Sequence, residues 1–156
     1  MKSVIKMQQI SSHTSLNYFN EDNKTLAKKA EKLIKSLTGS FLTEANDFIK
    51  EMDSMLEEAA LLGKSERYDL FKTRFFQLAH DLKGQGTTYG FELITVLADH
   101  ICTIIRHKKV FTQKEIDIFA MDIQDMQKVL SQGANETTPQ LKKQILNRLE
   151  QIKCLK

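Results

Sequence analysis

One histidine in this chain has neighbours that chemistry could use. It lies in the run Phe75-Phe76-Gln77-Leu78-Ala79-His80-Asp81-Leu82-Lys83-Gly84-Gln85-Gly86-Thr87-Thr88-Tyr89-Gly90. Placed on a helix at about 100° per residue, Phe71, Phe75, Leu78, Leu82 and Tyr89 fall on one side and form a core stripe. His80 falls on the other side, with Thr73, Phe76, Gln77, Lys83, Gly84 and Thr87. The imidazole is thus expected to face water from the middle of a helix, with Lys83 beside it one turn on. A free imidazole titrates near ~6.5, so its neutral, nucleophilic form is abundant at cellular pH. An adjacent ammonium would stabilise negative charge added to the ring. Gly84 carries no side chain and would leave room for an incoming group. Glycine inside a helix costs roughly 1 kcal/mol relative to alanine, and close approach by a partner is one reason to accept that cost.

The same residues admit a plainer reading. His-Asp-Leu-Lys-Gly is also how an ordinary helix ends, with basic residues in its last turn and glycine at the cap. That reading places the helix terminus at Lys83. Phe76, likewise, either docks a partner or touches the next helix. Other candidates offer less. His100 and His107 lie two turns apart, but two ligands are too few for zinc and no third is spaced to join them. Arg106-His107-Lys108-Lys109 suits the negative end of a helix. Cys102 lies beside an apolar stripe and reads as a small buried residue. No phosphate-binding loop or hydrolase elbow is present in the sequence.

The elements that must position His80 are helical. Leu26, Ala30, Leu33 and Leu37 recur at three and four, with Gly39 as the expected stop. Phe41, Ala45, Phe48, Met52, Met55 and Ala59 follow, opened by Ser40 as an N-cap and closed by Gly63. The His80 segment is third. Ile94, Leu97, Ile101 and Ile104 make a fourth stripe. Thr112-Gln113-Lys114-Glu115 is a capping-box pattern opening a fifth: Ile116, Phe119, Ile123, Met126 and Leu130. Thr138-Pro139 begins a sixth, with Leu141, Ile145, Leu149 and Ile152. Short links make neighbouring helices antiparallel. The expected fold is all-α, an up-down-up-down four-helix bundle with additional N- and C-terminal helices. The expected division is 1–38, packing on the bundle; 39–133, the bundle; and 134–156, a C-terminal helix.

Composition narrows the classes. With 6 Gly and 1 Pro among 156 residues, a turn-rich sandwich or barrel is excluded. A net charge of +3, from 23 basic and 20 acidic residues, is a mixed surface and no nucleic-acid footprint. No apolar run approaches a membrane span. The expectation is a cytoplasmic monomer without nucleic-acid or membrane contact, and two cysteines give no disulfide framework.

The run His80-x-Leu82-Lys83-Gly84-x-Gly86-x-x-Tyr89-Gly90 resembles the signature of histidine phosphotransfer (HPt) domains, and Phe75, Phe76 and Ala79 resemble the approach to it. The resemblance covers roughly residues 40–132 and implies a four-helix bundle. It implies that His80 is the phosphoacceptor, that Lys83 neutralises the phosphoryl group, and that Gly84 permits close approach. The helix would continue past Gly84, with Gly90 as the break before the next one. Phe76, Gln77, Gly84 and Thr87 would form the docking ring. The implied partners are response-regulator receiver domains and a hybrid sensor histidine kinase. The protein would be a phosphocarrier and not an autonomous enzyme, with no ATP site, no metal and no cofactor of its own. Two positions depart from the pattern. Gln85 stands where the family carries a small residue. Cys102 stands where many members carry a Glu or Gln that accepts a hydrogen bond from the histidine. Asp99, Gln77 or water would then orient the ring. These departures keep open an HPt-like module that binds receivers or kinases without transfer.

Overall fold

The structure, a computed structural model, describes residues 2–62 and 65–154, apart from the side chains of 2–21, 60 and 154. Among the described residues the fold is all-α, with five α-helices and no strand: α1 (Lys2–Leu62), α2 (Glu66–Gln85), α3 (Glu92–His107), α4 (Gln113–Gln132) and α5 (Pro139–Cys154). The chain divides into two compact units, Met1–Gly39 and Ser40–Lys156.

One expected boundary is absent. Gly39 does not stop a helix and Ser40 does not cap one, because α1 runs through both. A single glycine costs a helix roughly 1 kcal/mol, which cooperative propagation on both sides outweighs. Gly63, the expected stop of the following segment, lies outside the described residues.

In the second unit the apolar stripes meet as their spacing requires. Phe41, Ala45, Ile49, Met52 and Leu56 of α1 join Phe71, Phe75, Leu78 and Leu82 of α2 in one buried cluster. Ile94, Leu97 and Ile101 of α3, with Phe119, Ile123 and Met126 of α4, complete it. Each such side chain contributes about 1.5–3 kcal/mol through burial. Leu141, Ile145 and Leu149 of α5 bury against the same core.

Side-chain pairs give the direction of each helix. Phe41 stacks on Tyr89 while Glu51 binds Arg74. Phe76 faces Arg106 while Lys83 pairs with Asp99. His100 pairs with Asp122 while Lys108 pairs with Glu115. In each case the partner's number falls as the residue's number rises, so neighbouring helices are antiparallel.

The helix ends follow their local sequence. The Ser65 side chain accepts from the Tyr68 N–H at the start of α2. Thr112 and Glu115 form the expected capping box at the start of α4. Burial alone would raise the Glu115 carboxyl. The Thr112 hydroxyl and N–H, with Lys108, outweigh burial and hold it at about 2. Thr138 accepts from the Leu141 N–H, with Pro139 in the first turn of α5.

Candidate functional site

α2 does not end at Lys83. It runs to Gln85, Gly86 keeps right-handed helical angles, and a 3-10 turn covers Thr87–Tyr89. Gly90 then takes φ 84°, a left-handed conformation that glycine adopts without strain, and the chain reverses into α3. The helix-stop reading is therefore set aside: Gly84 is inside the helix and Gly90 is the break.

His80 is exposed, although Phe75 five residues before it and Leu82 two residues after it are buried. No side chain among the described residues hydrogen-bonds its ring. Its contact is with Phe76, one turn earlier, whose ring lies 5.8 Å away and tilted by 30°. The Arg106 guanidinium from α3 sits 5.3 Å from that same Phe76 ring. Phe76 is thus half-buried between an imidazole and a cation. The next-helix reading of Phe76 holds, through Arg106 of α3, and the same ring also lies against His80.

Lys83 is not free. Its ammonium is 2.7 Å from Asp99 on α3, with the two side chains 36% and 51% exposed. An ion pair so open to water is worth at most about 1 kcal/mol. It parks the ammonium beside the site without fixing it there. Asp99 is consequently engaged and does not orient His80. Cys102 is fully buried. Burial pushes its thiol up, while Arg106 and Lys83 pull it down.

The two glycines of the motif behave differently. A methyl group added at Gly84 would meet nothing within 4 Å. One added at Gly86 would come within 2.6 Å of Thr95 Oγ1, 2.9 Å of the Thr95 nitrogen and 3.0 Å of the Phe91 carbonyl. Gly84 faces open space, and Gly86, just past the end of α2, lies hard against Thr95 and the start of α3.

Thr95 was not evident from the sequence, yet it pins this corner. Its hydroxyl donates to the Lys83 carbonyl at 3.2 Å and accepts from the Thr87 N–H at 2.9 Å. The Thr87 hydroxyl lies 3.0 Å from the same oxygen, so Thr87 is exposed but tethered. The available signal was spacing. Thr95, Asp99, Cys102 and Arg106 stand at intervals of four, three and four on α3, which is one helix face turned toward α2.

Arg74, Phe76, Gln77, His80 and Asp81 line a shallow depression of about 290 Å³. Arg74 at its edge is held by a two-pronged bond to Glu51, at 2.6 and 2.8 Å. A larger depression of about 540 Å³ lies away from His80, beside His100, His107, Lys108 and Lys114. Among the described residues, no group of three or more His, Cys, Asp or Glu side chains is placed to hold a metal ion. Nor is any helix among them long and apolar enough to cross a membrane.

No family model, curated protein or solved structure matches the chain.

Proposed function

We propose that the chain is a histidine phosphotransfer protein, a phosphocarrier between receiver domains of a two-component relay, with His80 as the acceptor. One observation carries this most directly. His80 is exposed in mid-helix, Lys83 lies a turn away, and the space above Gly84 is open. The motif from His80 to Gly90 supports the same reading.

In the proposed step, Nε2 of neutral His80 attacks the phosphorus of a receiver's aspartyl phosphate. The N–P bond forms as the carboxylate O–P bond breaks, and the carboxylate leaves with the electron pair. The hydrogen on Nδ1 stays in place, so no proton moves. Transfer to a second receiver reverses these changes. Lys83 exchanges Asp99 for the arriving phosphoryl oxygens, an inexpensive exchange because the existing pair is solvated. The stack on Phe76 limits rotation of the imidazole, work that the family's hydrogen-bond acceptor would otherwise do. A hybrid sensor kinase and response-regulator receiver domains are the corresponding partners. Phe76, Gln77, Gly84 and Thr87 form the contact ring.

The test is incubation with an aspartyl-phosphorylated receiver. An acid-labile, base-stable phosphate on His80 is expected. Binding of the receiver without phosphate uptake would overturn the carrier reading. It would favour a second one, a module that binds without transfer, which is motivated by the missing acceptor on His80 and the buried thiol at Cys102.

A further inference from the structure

The unit Met1–Gly39 raises a separate question. Leu26, Leu33, Ile34 and Leu37 of α1 are 63%, 60%, 61% and 45% exposed. The side chains of residues 22–37 are all exposed. Long helices in water are sustained by burying an apolar face, and this one has an apolar face without cover.

The spacing specifies what could cover it. Asn23, Leu26, Ala30, Leu33 and Leu37 follow a strict three-four alternation, and the sequence continues it upstream through Phe19 and Leu16. That is a heptad repeat in which Leu16, Asn23, Ala30 and Leu37 take the a positions and Phe19, Leu26 and Leu33 the d positions. A repeat of seven keeps its seam facing one partner helix along its length.

Two features favour a second copy of this chain over a lipid surface. Asn23 lies within the apolar stripe, where a bilayer would penalise it and a two-stranded seam uses it to set register. Lys24, Lys28, Lys32 and Lys35 lie within about 45° of the point opposite the stripe's centre. They would point away from headgroups if the stripe entered a membrane. Around a two-stranded seam they occupy the outer face, where water solvates them.

We infer that residues 16–37 of two copies pair as a parallel two-stranded coiled coil, with Asn23 facing Asn23 at the seam. This is independent of the chemistry at His80, and His80→Gln should leave it intact.

Sedimentation equilibrium on the full chain tests it. A dimer that dissociates on dilution is expected. Leu26→Glu with Leu33→Glu should give a monomer with an unchanged near-ultraviolet spectrum, since both side chains are exposed. A wild-type monomer at the highest soluble concentration would overturn the inference, as would a dimer that survives the double substitution. So would a monomer that floats with anionic phosphatidylglycerol vesicles. Direction is tested by Ala30→Cys in a Cys154→Ser background. Oxidation should link the two chains through residue 30, and a dimer that fails to cross-link would overturn the parallel register.

Discussion

His80 on α2 and His100 on α3 are imidazoles on neighbouring helices of one bundle, in opposite settings. His80 is exposed, without a hydrogen-bond partner among the described residues, and rests against Phe76. His100 is 13% exposed, and its Nδ1 is 2.7 Å from an Asp122 carboxylate that is itself wholly buried. Asp122 also accepts from Arg148 of α5 at 2.7 Å, and Arg148 reaches Asp125 at 2.9 Å. The second region joins three helices through charges that need one another. The first is an exposed surface whose ion pairs, Lys83–Asp99 and Arg74–Glu51, are open to water. The His100 ring is held by a buried carboxylate on one nitrogen, whereas the His80 ring is held only by its stack on Phe76 and keeps both nitrogens open to water.

The sharpest way to break this contrast is to remove each imidazole's essential partner or function. His80→Gln should abolish phosphoryl acceptance from a phosphorylated receiver while moving stability by less than about 0.5 kcal/mol, read from a urea titration. A large loss of folding would mean that the exposed ring is structural after all. Asp122→Ala should do the reverse. It takes the buried acceptor from His100 and leaves Arg148 paired with Asp125 alone, and should cost about 1–3 kcal/mol in the same titration. Receiver-dependent labelling of whatever folded protein remains should persist.

The glycines draw the same line on a smaller scale. Gly86→Ala forces a methyl against the backbone of Thr95 and Phe91, and should cost roughly 1–3 kcal/mol. Gly84→Ala meets nothing and should stabilise the helix by up to about 1 kcal/mol, yet slow transfer by crowding the partner. A Gly84→Ala protein that is both more stable and equally fast would remove the close-approach role. The capping box adds an acid-dependent term on the structural side. Glu115 is held at about 2, below its usual 4.5, so its contribution is complete above pH 4.5 and is lost as pH falls toward 2. Thr112→Ala should remove roughly 1 kcal/mol at neutral pH and flatten that acid dependence.

Much of this was legible in the sequence because helical periodicity reports burial directly. The stripes of α2 to α5 pack as spaced, and the Thr112 and Thr138 caps stand where residue type placed them. His80 on the polar face was legible for the same reason, whereas residue spacing alone suited a helix stop at Lys83, and Gly90 as the break came only from the resemblance to the phosphotransfer signature. The continuity of α1 was not, because a lone glycine is a weak stop and local pattern cannot show how well the flanks propagate. The partners of the site were hidden for another reason. Asp99, Thr95 and Arg106 act on α2 from α3, and a charged residue on a helix face does not declare which neighbour it will meet. The Asp122–Arg148 pair, 26 positions apart in sequence, was out of reach on the same ground.

The smallest expected effects concern Lys83 and Asp99, and they separate position from chemistry. Asp99→Asn removes a solvated ion pair and should cost less than about 1 kcal/mol of stability. If Asp99 only parks the ammonium, its loss should leave transfer equal or severalfold faster, because the phosphoryl group no longer competes for Lys83. Lys83→Ala should slow transfer by roughly tenfold, a modest figure for a charge that water partly screens. The two substitutions remove the same ion pair and so should match in stability. A difference in rate between them then belongs to the ammonium alone. Equal rates would take Lys83 out of the mechanism and leave His80, on its Phe76 floor, as the whole of the site.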